Sequence, residues 1–178
     1  GRQLKMDTRK AIAMLAYLAL TGERQTRDSL AAFLWPEFND RRAKAALRRT
    51  LSTLKSAVGD DCLYITRDMI GLEPGAYWCD IPQFQQHINN KEWKGAITLY
   101  RDDFLAGFSL RDSIPFDDWQ VTESEALRRQ FSLALENRCH EQQAEGNWEA
   151  AIATGHQWLT CDPLREDAHR QLMLLYAQ

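Results

Sequence analysis

The segment from Asn39 to Gly59 reads NDRRAKAALRRTLSTLKSAVG, and its periodicity predicts a long helix with two unlike faces. At ~100° per residue, one narrow stripe of this helix is apolar and consists of Ala43, Leu47, Leu51, Leu54 and Val58. The opposite half carries six of the chain's twenty-two Lys and Arg residues, with small Ala and Ser side chains among them. Because the apolar stripe has to be buried, the segment requires neighbouring elements that cover it.

The basic half of this helix is unusual because it contains no acid between Arg41 and Val58. A merely solvated helix normally mixes charges of both signs, since like charges one turn apart repel by a few tenths of a kcal/mol. The pattern therefore indicates an external anion such as DNA. The alternatives are a solvated helix with a large positive face and a helix that docks on an acidic part of the same chain.

The charges of the whole chain are divided between two parts. Residues 1–60 carry twelve Lys and Arg against six Asp and Glu, whereas residues 61–178 carry ten against nineteen. The formal net charge of -3 conceals this difference. Such asymmetry suggests a part that faces nucleic acid joined to a part with another task, although opposite charges could also hold the two parts together.

Two shorter helices are predicted before the basic one. The stretch TRKAIAMLAYLALTG has Thr8 or Asp7 as a possible cap, apolar residues at helical spacing that include Ile12, Leu15 and Leu18, and Gly22 at its end. The stretch TRDSLAAFLWPEF begins at a Thr26 cap and has to stop before Pro36.

After Gly59 the pattern changes to CLYITRDMIGLEPGAYWCDI, in which short β-branched and aromatic runs are separated by turn residues. This predicts a hairpin of Leu63–Thr66 and Met69–Leu72, with Arg67 at its tip and an extended return near Tyr77–Asp80. Arg67 is also a residue that an ordinary turn would carry.

Helical periodicity returns from Gln83, with a faint internal repeat. NKEWKGAITLY and EGNWEAAIATG align at a separation of 55 residues, with Trp93 and Trp148 paired as core aromatics instead of a ligand cage. The stretch GFSLRDSIPFDDWQ, which contains Pro115, is predicted to be a loop. A last helix is expected at Arg165–Ala177, whose Leu172, Leu175 and Tyr176 call for a following helix in a longer protein.

The segments TRKAIAMLAYLAL, LAAFLWPE, ALRRTLSTLKSAVG and GLEPGAYWCDIPQF, in this order, resemble the N-terminal region of bacterial transcriptional activators of the antibiotic-regulatory type. The resemblance covers nearly the whole chain. It implies a mostly α fold with a small β wing: a winged helix-turn-helix domain at 1–80 and an α-helical, tetratricopeptide-like bacterial transcriptional activator domain at 83–178. The strands that precede the first helix in this family would be shortened here to about RQLKM.

With this resemblance, the expected function is that of a sequence-specific, DNA-binding transcriptional regulator that acts as an activator. The helix at Asn39–Gly59 would then read base edges in the major groove of double-stranded DNA through Arg41, Lys44, Arg48 and Ser52. Phosphate contacts would come from Thr26, Arg27, Arg42, Arg49, Lys55, Thr66 and Arg67. The helical repeats would contact RNA polymerase or a second copy of the chain. The alternative is an interaction adaptor whose winged helix docks on protein and binds no DNA.

Other classes of function find little support in the sequence. The four cysteines are scattered without a paired spacing, and His87, His140, His156 and His169 lack zinc-site spacing. No nucleophile motif or phosphate-binding loop is present, so we expect neither an enzyme nor a cofactor or metal. No apolar run approaches the ~20 residues of a membrane span, and the start GRQLKMDTRKA lacks a signal-peptide pattern. These features favour a cytoplasmic fragment of a longer protein without a membrane partner.

Overall fold

The structure, a computed structural model, describes residues 8–177 of the chain. Its first half contains helix α1 and a short strand, two more helices, a 3-10 turn and two strands. In chain order these are α1 Arg9–Thr21, β1 Gln25–Thr26, α2 Arg27–Leu34, α3 Asp40–Val58, the turn Asp60–Cys62, β2 Leu63–Ile65 and β3 Met69–Leu72. Five helices follow: α4 Asp80–Asn89, α5 Trp93–Leu99, α6 Ile114–Ala144, α7 Trp148–Cys161 and α8 Glu166–Tyr176. The predicted mostly helical fold with a small sheet is confirmed.

The predicted starts and ends of the first helices are confirmed. The Thr8 hydroxyl accepts a hydrogen bond from the Ala11 amide at 3.3 Å, and Gly22 ends α1 in the left-handed region at φ 65°. The Thr26 hydroxyl accepts from the Ser29 amide at 3.0 Å, and α2 ends at Leu34, two residues before Pro36. These caps satisfy backbone groups that a helix end leaves without partners.

The three strands form one antiparallel sheet in the order β1-β3-β2. The predicted hairpin of β2 and β3 is confirmed, with Leu63 opposite Leu72. The extended return predicted at Tyr77–Asp80 is wrong as a sheet strand. The second edge of β3 is occupied by β1, with Gln25 opposite Ile70, and Asp80 already begins α4. The RQLKM segment lies outside the described residues.

The loop predicted for GFSLRDSIPFDDWQ is only partly correct, because α6 begins within it at Ile114. Pro115 is therefore the second residue of a helix. A proline is tolerated in the first helical turn, where its missing amide would have no intrahelical acceptor. Just before the helix, the Leu110 amide donates to the Asp117 carboxylate at 2.7 Å, which ties the loop to the first turn.

By its internal contacts the described chain divides into two compact units, residues 8–79 with 107–121 and residues 80–106 with 122–177. The predicted domain bounds of 1–80 and 83–178 remain a prediction about independent folding. The first unit has a core of completely buried apolar side chains from α1, α2, α3 and β3, among them Met14, Leu30, Leu34, Leu54 and Ile70. On α1 the buried residues are Ala11, Ala13, Met14 and Leu18, while the predicted Ile12 and Leu15 are only half-buried.

Segment 107–121 adds aromatic side chains to the first unit. Phe116 is completely buried, with ring centroids 5.4 Å from Trp119, 5.9 Å from Phe33 and 6.0 Å from Phe108. The Ser113 hydroxyl donates to the Phe33 carbonyl at 2.7 Å. The stretch thus completes the core around α2.

The core of the second unit includes Phe84, Leu127, Phe131, Leu135 and Trp158, with small alanines between the helices. Ala96 and Ala151, which the internal repeat pairs with each other, are both completely buried. Of the two paired tryptophans, Trp93 packs partly against this core, whereas Trp148 is 39% exposed at the start of α7.

The last helix is confirmed at Glu166–Tyr176, and a helix after the described residues remains a prediction. Leu172 and Leu175 are buried with Cys139 and Ala151 of the same unit. The Tyr176 hydroxyl lies 2.9 Å from His156 Nε2 on α7. Within residues 8–177, no helix combines the length and the apolar character that crossing a membrane demands.

Candidate functional site

Helix α3 has the two faces that the sequence predicts. Its buried side consists of Ala43, Ala46, Leu47, Thr50, Leu51 and Leu54. The Asn39 side chain starts the helix by accepting from the Arg42 amide at 3.0 Å, and Gly59 ends it. Because 3.6 residues make one turn, this burial turns most of the basic residues of α3 toward solvent.

A surface cleft lies between the first half of α3, the start of α2 and the turn that joins β2 and β3. We call it the α3 cleft. It is lined by Thr26, Arg27, Asp28, Asp40, Arg41, Lys44, Leu47, Arg48, Arg67 and Asp68. Six of the predicted contact residues therefore come together although they lie on β1, α2, α3 and the β2–β3 turn: Thr26, Arg27, Arg41, Lys44, Arg48 and Arg67.

The other predicted contact residues do not line the α3 cleft. Arg42, Arg49, Ser52 and Lys55 are exposed on α3, and Thr66 is exposed in the β2–β3 turn. The Arg42 guanidinium carbon lies 4.1 Å from the centre of the Phe38 ring, and Lys55 Nζ lies 3.1 Å from the Asp60 carboxylate. These residues can flank a ligand in the cleft but do not form its walls.

Three cations of the cleft are available for an external anion. Within residues 8–177, no hydrogen bond or ion pair to another described side chain engages Arg41, Arg48 or Arg67. All three side chains are exposed, and they come from α3 and from the tip of the β2–β3 turn. Guanidinium groups in this state can bind phosphate oxygens through paired N–H donors.

Arg27 has a structural role besides any contact with a ligand. Its Nε and Nη2 atoms donate to the Thr66 carbonyl at 3.1 and 2.9 Å, and its amide donates to the Asp68 carbonyl at 2.9 Å. Within the turn, the Thr66 hydroxyl accepts from the Met69 amide at 3.0 Å. These bonds hold the tip of the turn, and with it Arg67, beside the start of α2.

Lys44 differs from the three available arginines because two carboxylates surround it. Its Nζ lies 2.9 Å from Asp28 Oδ1 on α2 and 3.1 Å from Asp40 Oδ2 one turn earlier on α3. The hydrogen bond to Asp28, and then that to Asp40, raises the pKa of Lys44 above its ordinary value. The amine therefore stays protonated, but its charge is already compensated within the protein.

These acidic residues change the interpretation that the basic face of α3 is almost free of acids. No acid lies between Arg41 and Val58 on α3, but Asp28, Asp40 and Asp68 reach the α3 cleft from outside that stretch. Asp40 could have been found from the sequence, because it precedes Lys44 by four residues and i,i+4 pairs meet on a helix. Asp28 could not, because its contact depends on how α2 crosses α3.

We find no candidate metal-binding site among the described residues. No three or more His, Cys, Asp or Glu side chains among residues 8–177 gather in a group that could hold a metal ion.

A family model described as the bacterial transcriptional activator domain matches residues 83–178, which is more than half of the chain. No curated protein matches the chain. The matched residues begin within α4 and run through α5, α6, α7 and α8. The chain therefore belongs to the bacterial transcriptional activator domain family.

Proposed function

We propose that the chain is a sequence-specific, DNA-binding transcriptional regulator that acts as an activator, with the α3 cleft as its DNA-binding surface. The observation that carries the proposal is the convergence of Arg41 and Arg48 from α3 with Arg67 from the β2–β3 turn. Exposed guanidinium groups on separate elements can contact several charges of a polyanion at once. A single ionised side chain of a protein partner could not engage all of them.

The order of the elements supports a winged helix-turn-helix as the DNA-binding domain. Helices α1, α2 and α3 are followed by the β2–β3 hairpin, and the short β1 joins the same sheet. In such a domain α3 would enter the major groove and the β2–β3 turn would be the wing. Base contacts from Arg41 and Arg48 and a phosphate contact from Arg67 agree with that placement.

The family membership supports the activator part of the proposal. A bacterial transcriptional activator domain at 83–178 is expected to act on the transcription machinery. In the described part, α4 packs on α5 and α7 packs on α8, which are the helix pairs of a repeat-like arrangement. We propose that this domain binds protein, either RNA polymerase or a second copy of the chain, while the α3 cleft binds DNA.

The function can be tested by titrating labelled duplex DNA with the 178-residue chain at several salt concentrations. We expect the logarithm of the binding constant to fall linearly with the logarithm of salt, by about 0.9 for each phosphate contacted. Failure to bind any duplex, together with salt-insensitive binding to a protein, would favour the adaptor alternative. The three carboxylates in the cleft are the feature that would suit such a protein partner.

Arg48→Ala is expected to weaken binding to a preferred site by about 1–3 kcal/mol and binding to random duplex by much less. Arg48 lines the cleft and is exposed, so its truncation removes a base contact without disturbing the core. Both affinities are measured on duplexes of equal length, with the preferred site selected from a random library by the unmodified chain.

Arg49→Ala is the matched control for Arg48→Ala, because Arg49 is the adjacent exposed arginine on α3 but lies outside the cleft lining. We expect it to weaken binding to every sequence alike and to reduce the salt slope by about 0.9, one phosphate's share. Equal losses for the two variants on both duplexes would show that Arg48 contacts only phosphate.

A further inference from the structure

The α3 cleft contains three carboxylates that a surface built only for phosphate would lack. Asp28 belongs to α2, Asp40 begins α3, and Asp68 lies in the β2–β3 turn. The side chains of Asp28 and Asp40 are 73% and 78% exposed, so both face the solvent that a ligand in the cleft would replace. Any duplex in this cleft must therefore come close to them.

Lys44 couples these two carboxylates to each other. With Nζ at 2.9 Å from Asp28 and 3.1 Å from Asp40, the amine bridges the first turn of α2 to the first turn of α3. For Lys44 to contact a phosphate it would have to leave both partners. The gain from the new pair would then be offset by two lost pairs and by two carboxylates left beside the phosphate.

The Asp28 and Asp40 carboxylates interact differently with a base edge than with a phosphate. Phosphate oxygens repel the Asp28 and Asp40 carboxylates, whatever the sequence of the duplex. The amino groups of cytosine and adenine in the major groove donate hydrogen bonds, and a carboxylate can accept them. A carboxylate that is already held by a lysine is oriented before the ligand arrives, so this contact needs little further ordering.

We propose that Asp28 and Asp40 are specificity-determining residues of the α3 cleft. They weaken binding to every duplex by repulsion, and a duplex that presents a cytosine or adenine amino group to them recovers the loss. Lys44 acts as the positioning residue that holds both carboxylates. The inference rests on the proposed DNA-binding function. It predicts that acids in the cleft reduce affinity and increase discrimination, as a repulsive element does in selective interfaces.

The test uses Asp28→Asn in the 178-residue chain, with binding to the selected duplex and to random duplex of equal length measured at several salt concentrations. We expect random duplex to bind about threefold to tenfold more tightly, because one charge is removed at short range in a largely aqueous setting. The ratio of the two affinities should fall, and a selection repeated with the variant should lose a preference for cytosine or adenine at one position.

Asp60→Asn is the matched control, because Asp60 also pairs with a lysine of α3 but lies at the far end of the helix, outside the cleft. It makes the same change in net charge and should leave the affinity ratio and the base preference unchanged. An equal rise in random binding for both variants would overturn the proposal, as would an unchanged ratio or base preference in Asp28→Asn. Failure of the unmodified chain to bind any duplex would instead refute the proposed function.

A circular-dichroism melt of each variant accompanies the binding data. Asp28 and Asp60 are both exposed, so we expect melting temperatures within about 4 °C of the unmodified chain. Asp40→Asn repeats the test with a carboxylate of the other helix. It should shift the ratio of the selected-duplex affinity to the random-duplex affinity in the same direction as Asp28→Asn. Opposite shifts for these two variants would also overturn the proposal, because both carboxylates hold the same amine.

Discussion

Replacing Phe116 by alanine is expected to lower the free energy of unfolding of the first unit by about 3–5 kcal/mol. Phe116 is 0% exposed, and its ring packs among those of Phe33, Phe108 and Trp119 at centroid distances of 5.9, 6.0 and 5.4 Å. Truncation removes the buried ring and leaves a cavity that the surrounding rings can fill only in part. Urea unfolding of the 178-residue chain, followed by tryptophan fluorescence and circular dichroism, measures the loss.

Val121→Ala is the control for this prediction, because Val121 lies on the same helix within segment 107–121 but is 57% exposed. We expect it to change the free energy of unfolding by no more than about 0.5 kcal/mol. A similar small change for Phe116→Ala would mean that residues 107–121 contribute little to the first unit. In that case the division at 1–80 and 83–178 expected from the sequence would describe the folding units better.

The elements of the first unit could be predicted because their signals are local. Caps at Thr8 and Thr26, the stop before Pro36 and the turn between β2 and β3 all act within a few residues of the chain. Which of these elements pair with each other could not be predicted in the same way. Strand β1 is only two residues long, and its pairing with β3 depends on segments more than forty residues apart. No short-range pattern marks such a pair.

Segment 107–121 shows the same limit at a larger scale. Its proline suggests a break in the helical pattern, but Pro115 is instead the second residue of a helix of 31 residues. Whether a proline interrupts a helix or lies in its first turn depends on the residues before it. Here the preceding loop is held against the first turn of α6 by the hydrogen bond from the Leu110 amide to the Asp117 carboxylate. That Phe116 belongs to the core around Phe33 follows only from tertiary contacts.

Part of the candidate site could likewise be predicted from the sequence, and part could not. The amphipathic spacing of α3 placed Arg41 and Arg48 on its exposed side, and the turn signal placed Arg67 at the tip of the hairpin. Charge counting along one helix missed Asp28, because a carboxylate from another helix can compensate Lys44 without appearing in the α3 sequence. The charge of a basic helical face in a sequence therefore differs from the charge that a ligand meets, because other elements add carboxylates such as Asp28 and cations such as Arg67.

Trp158→Ala is expected to lower the free energy of unfolding of the second unit by about 3–5 kcal/mol. Trp158 is 1% exposed on α7, within the core that includes Phe84, Leu127, Phe131 and Leu135. Its indole Nε1 donates to the buried Ser132 hydroxyl at 2.8 Å, so the substitution also removes the donor to a group that water does not reach. Urea unfolding of the 178-residue chain is again the measurement.

Two further variants separate the packing of Trp158 from its hydrogen bond. Trp158→Phe keeps an aromatic ring but has no donor, and it should lose about 1–3 kcal/mol, the cost of leaving a buried polar group without its partner. Trp148→Ala, on the same helix but at a position that is 39% exposed, should lose clearly less than Trp158→Ala. If the two alanine variants were equally destabilised, the core of the second unit would not depend on the buried face of α7. The family match covers the helices that Trp158 packs together. Under the proposed function, its loss is expected to impair binding of a protein partner through unfolding, whereas Arg48→Ala is expected to impair DNA binding in a folded chain.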